Sequence, residues 1–131
     1  MPCSHQCEHD RVHIDANMAA PHTVRVASRT ASPLLHPDES EIDFFAVLSA
    51  LCDPVRLSIV RALDQRTEVA CGTFDLPVAK SALSRHFRVL RESGLIRQRD
   101  DGTRRLNTLR RDELDRRFPG FLDLVLREAA R

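Results

Sequence analysis

The sequence predicts a mainly α-helical fold with one small β-hairpin, and three observations carry that expectation. Apolar residues recur at spacings of three and four through 42–63, 83–90 and 114–126, the period of helices with one buried face. Asp100-Asp-Gly-Thr falls between two strand-like runs, Leu95-Ile-Arg-Gln-Arg and Arg104-Arg-Leu-Asn-Thr, and an Asp-Gly pair in that setting is a local hairpin signal. A short basic helix and a glycine stop lead directly into this hairpin between Lys80 and Arg105. Helix, stop and basic ribbon in this order are the parts of a winged helix-turn-helix.

A chain of 131 residues, 42% hydrophobic and 30% charged, suffices for one domain with a modest core. Residues 1–37 differ from the rest. They hold five of the six His, four of the seven Pro and two of the four Cys, with few large apolar residues and no helical or strand period. This stretch reads as a flexible His- and Cys-containing tail, and residues 38–131 as the folded domain. No apolar run approaches the roughly 20 residues of a membrane span, and the first ten residues lack the apolar segment of a signal peptide. A cytoplasmic protein without a membrane partner is therefore expected. There, thiols are kept reduced, and four Cys point to metal, redox sensing or burial before structural disulfides.

Ile42, Phe45, Leu48 and Cys52, with Phe44, Val47 and Leu51, make the wide apolar face of a first helix. Asp53-Pro54 supplies an N-cap and a proline at the first helical position. The second helix carries Val55, Leu57, Ile59, Val60, Ala62 and Leu63 and ends near Gln65. Residues 67–77 contain Gly72, Pro77 and three poor helix formers, Thr67, Val69 and Thr73, which predicts a short or broken helix and a turn at Pro77-Val78-Ala79. Over 81–93, Leu83, Phe87 and Leu90 share one side, while Ser81, Arg85 and Arg88 point the other way with Ser84 beside them. Gly94 stops this helix as a left-handed cap. After Leu109 the chain is helical again, with Leu114, Phe118, Phe121, Leu122, Val125 and Leu126 as its apolar stripe, and Pro119-Gly120 must kink or divide it.

The charge is concentrated. Residues 80–105 carry eight of the 20 Lys and Arg and three of the 19 acids, whereas the whole chain has a net charge of only +1. Such an excess on a helix and its hairpin is an electrostatic footprint for DNA. With no Trp or Tyr and only six Phe, the chain lacks the stacking surface that single-strand readers use, so duplex DNA is the expected partner. Lys80 is the only lysine. The candidate DNA-binding residues are Lys80, Ser81, Ser84, Arg85, His86, Arg88, Arg99, Arg104 and Arg105. Arg85 suits either a bidentate guanine contact or a phosphate. Arg97 and Arg99 share one strand face, and Arg104 and Arg105 take opposite faces, so the hairpin arginines do not all address one surface. Chemistry alone reads His86, at the edge of the packing face, as a structural histidine.

Leu51-Cys-Asp-Pro-Val-Arg-Leu-Ser-Ile-Val, followed by Ser81-Ala-Leu-Ser-Arg-His-Phe-Arg-Val-Leu-Arg-Glu-Ser-Gly-Leu-Ile, resembles the ArsR/SmtB family of bacterial winged-helix regulators over about residues 40–130. The resemblance implies a homodimer built from the first and last helices, repressor activity at an inverted-repeat operator, and a place for Ser84 and His86 at the DNA surface. The segment from Cys71 to Ser84, and Arg117-Phe-Pro-Gly-Phe-Leu, resemble a subgroup in which the first motif helix is altered.

Metal sensors of that family hold thiolates near the first motif helix, or His and carboxylates on the last helix. Residues 110–131 contain neither His nor Cys, which leaves the last-helix site unsupported. Cys71 falls near the thiolate position. Cys3 and Cys7 on the tail would complete a set of three soft ligands, with His5 or His9 as a fourth, for a thiophilic metal such as Zn, Cd, Pb or As. Against this stand simple burial of Cys71 and Cys52 and a tail spacing that differs from the Cys-x(2–4)-Cys pairs of structural zinc. Cysteine redox chemistry is a third reading. An enzyme is excluded by the lack of a phosphate loop, a nucleophile elbow or a His/carboxylate constellation in the folded part. The alternative to a DNA-binding regulator is a metal-handling or protein-interaction module.

Overall fold

The computed structural model describes residues 34–131. A 3-10 turn, Glu39–Glu41, leads into helices α1 (Phe44–Leu51) and α2 (Pro54–Asp64). Strand β1 (Val69–Ala70) and a second 3-10 turn, Cys71–Thr73, come next, followed by helix α3 (Lys80–Glu92). Strands β2 (Ile96–Asp101) and β3 (Arg104–Leu109) precede helices α4 (Arg111–Arg117) and α5 (Phe121–Ala129).

Local chemistry sets the helix starts. The Asp43 carboxylate accepts the Ala46 N–H at 2.9 Å, so α1 begins at Phe44, two residues after the apolar repeat starts at Ile42. Ile42 lies before it in extended backbone, yet is fully buried. Asp53 accepts from the amides of Val55 and Arg56 at 2.8 and 3.1 Å, with Pro54 opening α2. One core joins Val47 and Ala50 of α1, Ile59, Val60 and Leu63 of α2, and Phe87 and Leu90 of α3 with Ile96, Leu114 and Leu122. Gly94 has φ +91°, as a left-handed cap requires, and the C-terminal stretch divides at Gly120 with φ +79°.

The region 67–77 departs from expectation. It forms no α-helix. Val69 and Ala70 instead pair antiparallel with Asn107 and Leu106, so the hairpin belongs to a three-stranded sheet of order β1-β3-β2. The β-branched Val69 gains burial and ladder bonds there that a helix broken by Gly72 would not supply. The hairpin turn is also shifted. Asp101 pairs with Arg104, which leaves Gly102-Thr103 as a two-residue loop. Gly102 has φ +65°, and no described non-glycine residue has positive φ. That is the pattern of a type II′ turn, with glycine first, and not of a type I′ Asp-Gly turn.

The tail boundary also moves. Residues 34–37, grouped with the tail by composition, lie along the sheet edge. The His36 imidazole accepts the Gln98 N–H through Nε2 at 2.9 Å. Arg91 donates to the Leu35 carbonyl at 3.2 Å, and Arg110 to that of Pro37 at 2.8 Å. Composition does not reveal these long-range bonds. The rest of the tail, with Cys3, His5, Cys7 and His9, lies outside the described residues. Among the described residues no helix is long and apolar enough to cross a membrane.

Candidate nucleic-acid interface

Helix α3 is fixed to the core by Phe87 and Leu90, which are 3% and 0% exposed, and by an edge-on contact of the Phe74 and Phe87 rings at 5.4 Å. Its start is held by no side-chain cap at Ala79, so the first-turn amides keep their positive end available to a phosphate. Ser81 and Arg85 are one turn apart and exposed. Lys80, Ser84 and Arg88 form the neighbouring stripe and border a cavity between α3, the Cys71–Thr73 turn with its following loop, and the sheet.

The acids partition the arginines of the motif. Arg104 is paired with its cross-strand neighbour Asp101 at 3.1 Å, and Arg105 with Asp100 at 2.8 Å. Arg99 is clasped by both oxygens of Glu68 at 2.9 and 3.0 Å, and those bonds raise its pKa. Arg97 bonds Glu113 at 2.9 Å. Among the described residues Arg91 has only Glu92, at 3.9 Å. Lys80, Arg85 and Arg88 form no ion pair with an acid among the described residues. The uncompensated charge of the motif therefore sits on the recognition helix, and the wing carries most of its arginines already neutralised. Glu68 and Glu113 lie outside the stretch whose composition suggested otherwise.

The nine candidate residues do not form one surface. Ser81 and Arg85 face outward from α3. Lys80, Ser84, Arg88 and Arg105 rim the cavity. Arg99 and Arg104 lie on the opposite sheet face, because the register places them across from Leu106 and Asp101 while Arg105 stands across from Asp100. His86 is half-buried, with Nδ1 3.3 Å from Nη1 of Arg56. An Arg donor facing Nδ1 makes that nitrogen the acceptor and puts the proton on Nε2. Arg56 also donates to the carbonyls of Ala50 at 2.7 Å and Ser49 at 3.3 Å, so one guanidinium ties the end of α1 to the recognition helix.

A polar group inside the sheet had no sequence reading. Gln98 and Asn107 are 5% and 0% exposed. The Gln98 amide donates to Asn107 Oδ1 at 2.8 Å, and Asn107 donates to the Val69 carbonyl at 2.9 Å and to Cys71 Sγ at 3.2 Å. The alternation of β2 puts Gln98 on the same inward side as Ile96, which was the available signal. Cys71 is thus a hydrogen-bond acceptor held by amides. Cys52 is exposed, not buried as expected. No group of three or more His, Cys, Asp or Glu among the described residues could hold a metal ion, so Cys71 and its neighbours do not make a metal site by themselves.

Known proteins share this arrangement. A helix-turn-helix domain model matches residues 51–99, from the end of α1 into β2. The uncharacterized HTH-type transcriptional regulator YceK of Bacillus subtilis (strain 168) is 36% identical over 82 residues, 60% of this chain and 82% of that protein. The crystal structure of an ArsR family transcriptional regulator superposes with a TM-score of 0.52 at 20% identity, over 64% of this chain and 88% of the other. The transcriptional regulator HlyU from Vibrio vulnificus CMCP6 is 28% identical with a TM-score of 0.48, over 61% and 84%. The chain is a DNA-binding regulator and not an enzyme: it belongs to the helix-turn-helix transcriptional regulators and has the winged fold of the ArsR type.

Proposed function

We propose that the protein is a cytoplasmic repressor that binds an inverted-repeat operator as a homodimer. The observation that carries this reading is the placement of Lys80, Arg85 and Arg88, without acidic partners among the described residues, on the one helix shaped for a major groove. Ser81 and Arg85 address base edges. Lys80, Ser84, Arg88 and Arg105 lie where phosphates run beside the groove. His86 acts through Arg56, as a brace for the helix. A dimer is supported by Phe45, which stays 75% exposed beside the clustered rings of Phe44, Phe118 and Phe121, and by Leu124 of α5, which is 47% exposed. Two copies would cover them and set two recognition helices for successive turns of the duplex.

A titration of the protein with duplex from its own promoter region tests the reading. If six or more cations contact phosphate in the dimer, affinity falls about a thousandfold between 50 and 200 mM salt. Absence of duplex binding at the lower salt overturns it. Release by Zn, Cd, Pb or As would require Cys3 and Cys7 to join Cys71. A Cys3/Cys7/Cys71→Ser variant that still releases DNA on metal addition overturns that mechanism.

A further inference from the structure

The cavity bordered by α3, the loop after β1 and the sheet has a volume of about 550 Å³, within the range of small-molecule sites. Its walls divide by chemistry. Phe74, Leu76 and Leu83 give an apolar floor, and Lys80, Arg88, Arg91 and Arg105 stand around it. Asp75 is the single acid among the described lining residues, and Arg105 is partly compensated by Asp100.

We propose that this cavity binds a small organic anion with an apolar body, an aromatic or branched carboxylate, and that its occupation competes with DNA. Arg91 is the central cation. Its side chain is only 14% exposed, yet its hydrogen-bond partners are neutral: Gln98 Oε1 at 2.7 Å and the Leu35 carbonyl at 3.2 Å. Glu92, its one nearby acid among the described residues, is 3.9 Å away and largely exposed. A buried cation with neutral partners is short of counter-charge. Burial, together with the charges of Arg105 and Arg88 and against the pull of Glu92, lowers the Arg91 pKa. A carboxylate among these three guanidiniums relieves their repulsion and gains charge-assisted bonds, while its apolar body covers the floor. A phosphate of DNA supplies the charge but nothing for Phe74, Leu76 and Leu83. Among the described residues that line it, a soft metal finds one sulfur, Cys71. Competition follows from shared groups, because Lys80, Ser84 and Arg88 line the cavity and also border the DNA face of α3. That second half rests on the DNA reading above.

Calorimetric titration of the full chain with 2-naphthoate and with neutral 2-naphthamide tests the site. The acid is expected to bind about tenfold or more tighter than the amide. Arg91→Met and Arg88→Ala each weaken it about fivefold or more. Arg97→Ala, whose guanidinium is held by Glu113 on the other sheet face, leaves it unchanged. Gly72→Trp guards against misfolding of the Arg91 variant. A Cβ added at Gly72 meets no heavy atom within 4 Å, and Gly72 lines the cavity, so a bulky residue there tests the space without touching Arg91. Equal affinity for acid and amide, no binding of the acid at about 5 mM, or full binding in both Arg91→Met and Gly72→Trp overturns the site. Bound naphthoate that leaves DNA affinity unaltered overturns the competition alone. A protein that ignores duplex even without naphthoate overturns the DNA reading, while the calorimetry still decides the site.

Discussion

Arg56 Nη1 lies 3.3 Å from Nδ1 of His86, and the two residues connect the Asp53-Pro-Val-Arg start of one helix to the middle of another, 30 positions later. The same guanidinium donates to the Ala50 and Ser49 carbonyls at the end of α1, where intrahelical donors run out; Ser49 also accepts the Cys52 N–H at 3.2 Å. The orientation of α3 relative to α1 is therefore set by a polar clamp as well as by packing. If the dimer forms through α1, this clamp also links the partner surface to the groove-facing helix. His86 belongs to that clamp through its Nδ1.

Replacing Arg56 by Leu removes three hydrogen bonds and takes the side-chain donor from the Ala50 carbonyl, while Ser49 keeps the Cys52 N–H. A loss of about 1–3 kcal/mol is expected in urea denaturation. Arg56→Lys recovers little of it, because a single ammonium does not span the carbonyls and the imidazole together. Full recovery by Lys would mean that charge, and not fork geometry, holds the helices.

Arg85→Ala should weaken binding to a specific duplex by about 1–3 kcal/mol, whereas Arg99→Ala should cost less. Arg85 is exposed without an acidic partner among the described residues. Arg99 must first leave the two Glu68 oxygens at 2.9 and 3.0 Å. Fluorescence anisotropy on one duplex compares the two. A larger loss for Arg99 would place the wing, and not α3, at the centre of recognition.

Helices α1, α2, α3 and the hairpin were legible because their signals are local. Asp53-Pro54 and Gly94 each act within a few residues of themselves, and the apolar period needs only one helix face. Strand β1 was not legible. It has two residues, and its partners Asn107 and Leu106 lie more than 35 positions away. The candidate site was half legible for the same reason. Net charge over 80–105 identified the motif, but neutralisation of Arg99 and Arg97 comes from Glu68 and Glu113, which only the fold brings near. The clamp between Arg56 and His86 likewise joins two motifs that sequence presents separately.

Gly94→Ala should destabilise the domain by about 2–4 kcal/mol. The φ of +91° is strained for any side chain, and a Cβ there would stand 2.7 Å from Ile42 Cγ1, adding an overpacking cost. Pairing it with Ile42→Ala, which removes the clashing Cγ1, in a double-mutant cycle checks the second part. If the smaller residue recovers nothing, the clash with Ile42 is not the cause.

Acid should act in two steps. Burial first, then the charges of Arg97, Arg91 and Arg110, lower the His36 pKa below 6.5. The unfolded chain thus binds a proton more readily, and the stability His36 contributes above pH 6.5 is lost as pH falls below that value. His36→Gln, which keeps an acceptor for the Gln98 N–H but does not titrate, should flatten the loss between pH 7.5 and 5.5. Lower down, the hydrogen bonds of buried Arg110, joined by Arg97 and opposed by burial, hold Glu113 at about 2. Its contribution, on the order of 2–3 kcal/mol, is complete above pH 4.5 and disappears as pH falls towards 2. Glu113→Gln should remove this second step. Denaturation midpoints across pH that are parallel in all three proteins would show that neither group is linked to folding.

Phe45→Glu should convert the protein to a monomer and weaken operator binding, while leaving each domain folded. Phe45 is 75% exposed, so an isolated domain loses little by the change. Its ring meets Phe44 edge-on at 5.9 Å, and Phe44 in turn packs on Phe118 and Phe121 at 5.0 and 5.2 Å. A carboxylate placed there would be desolvated without a partner if a second copy covered this face. By symmetry a C2 interface buries the change twice. Sedimentation should then give half the mass, with helical content preserved. Affinity for a full inverted repeat should fall towards that for a half-site, because one α3 no longer gains from the binding of the other. A variant that still sediments as a dimer would move the interface away from α1, and Leu124→Glu on α5 would then be the next substitution to decide where it lies.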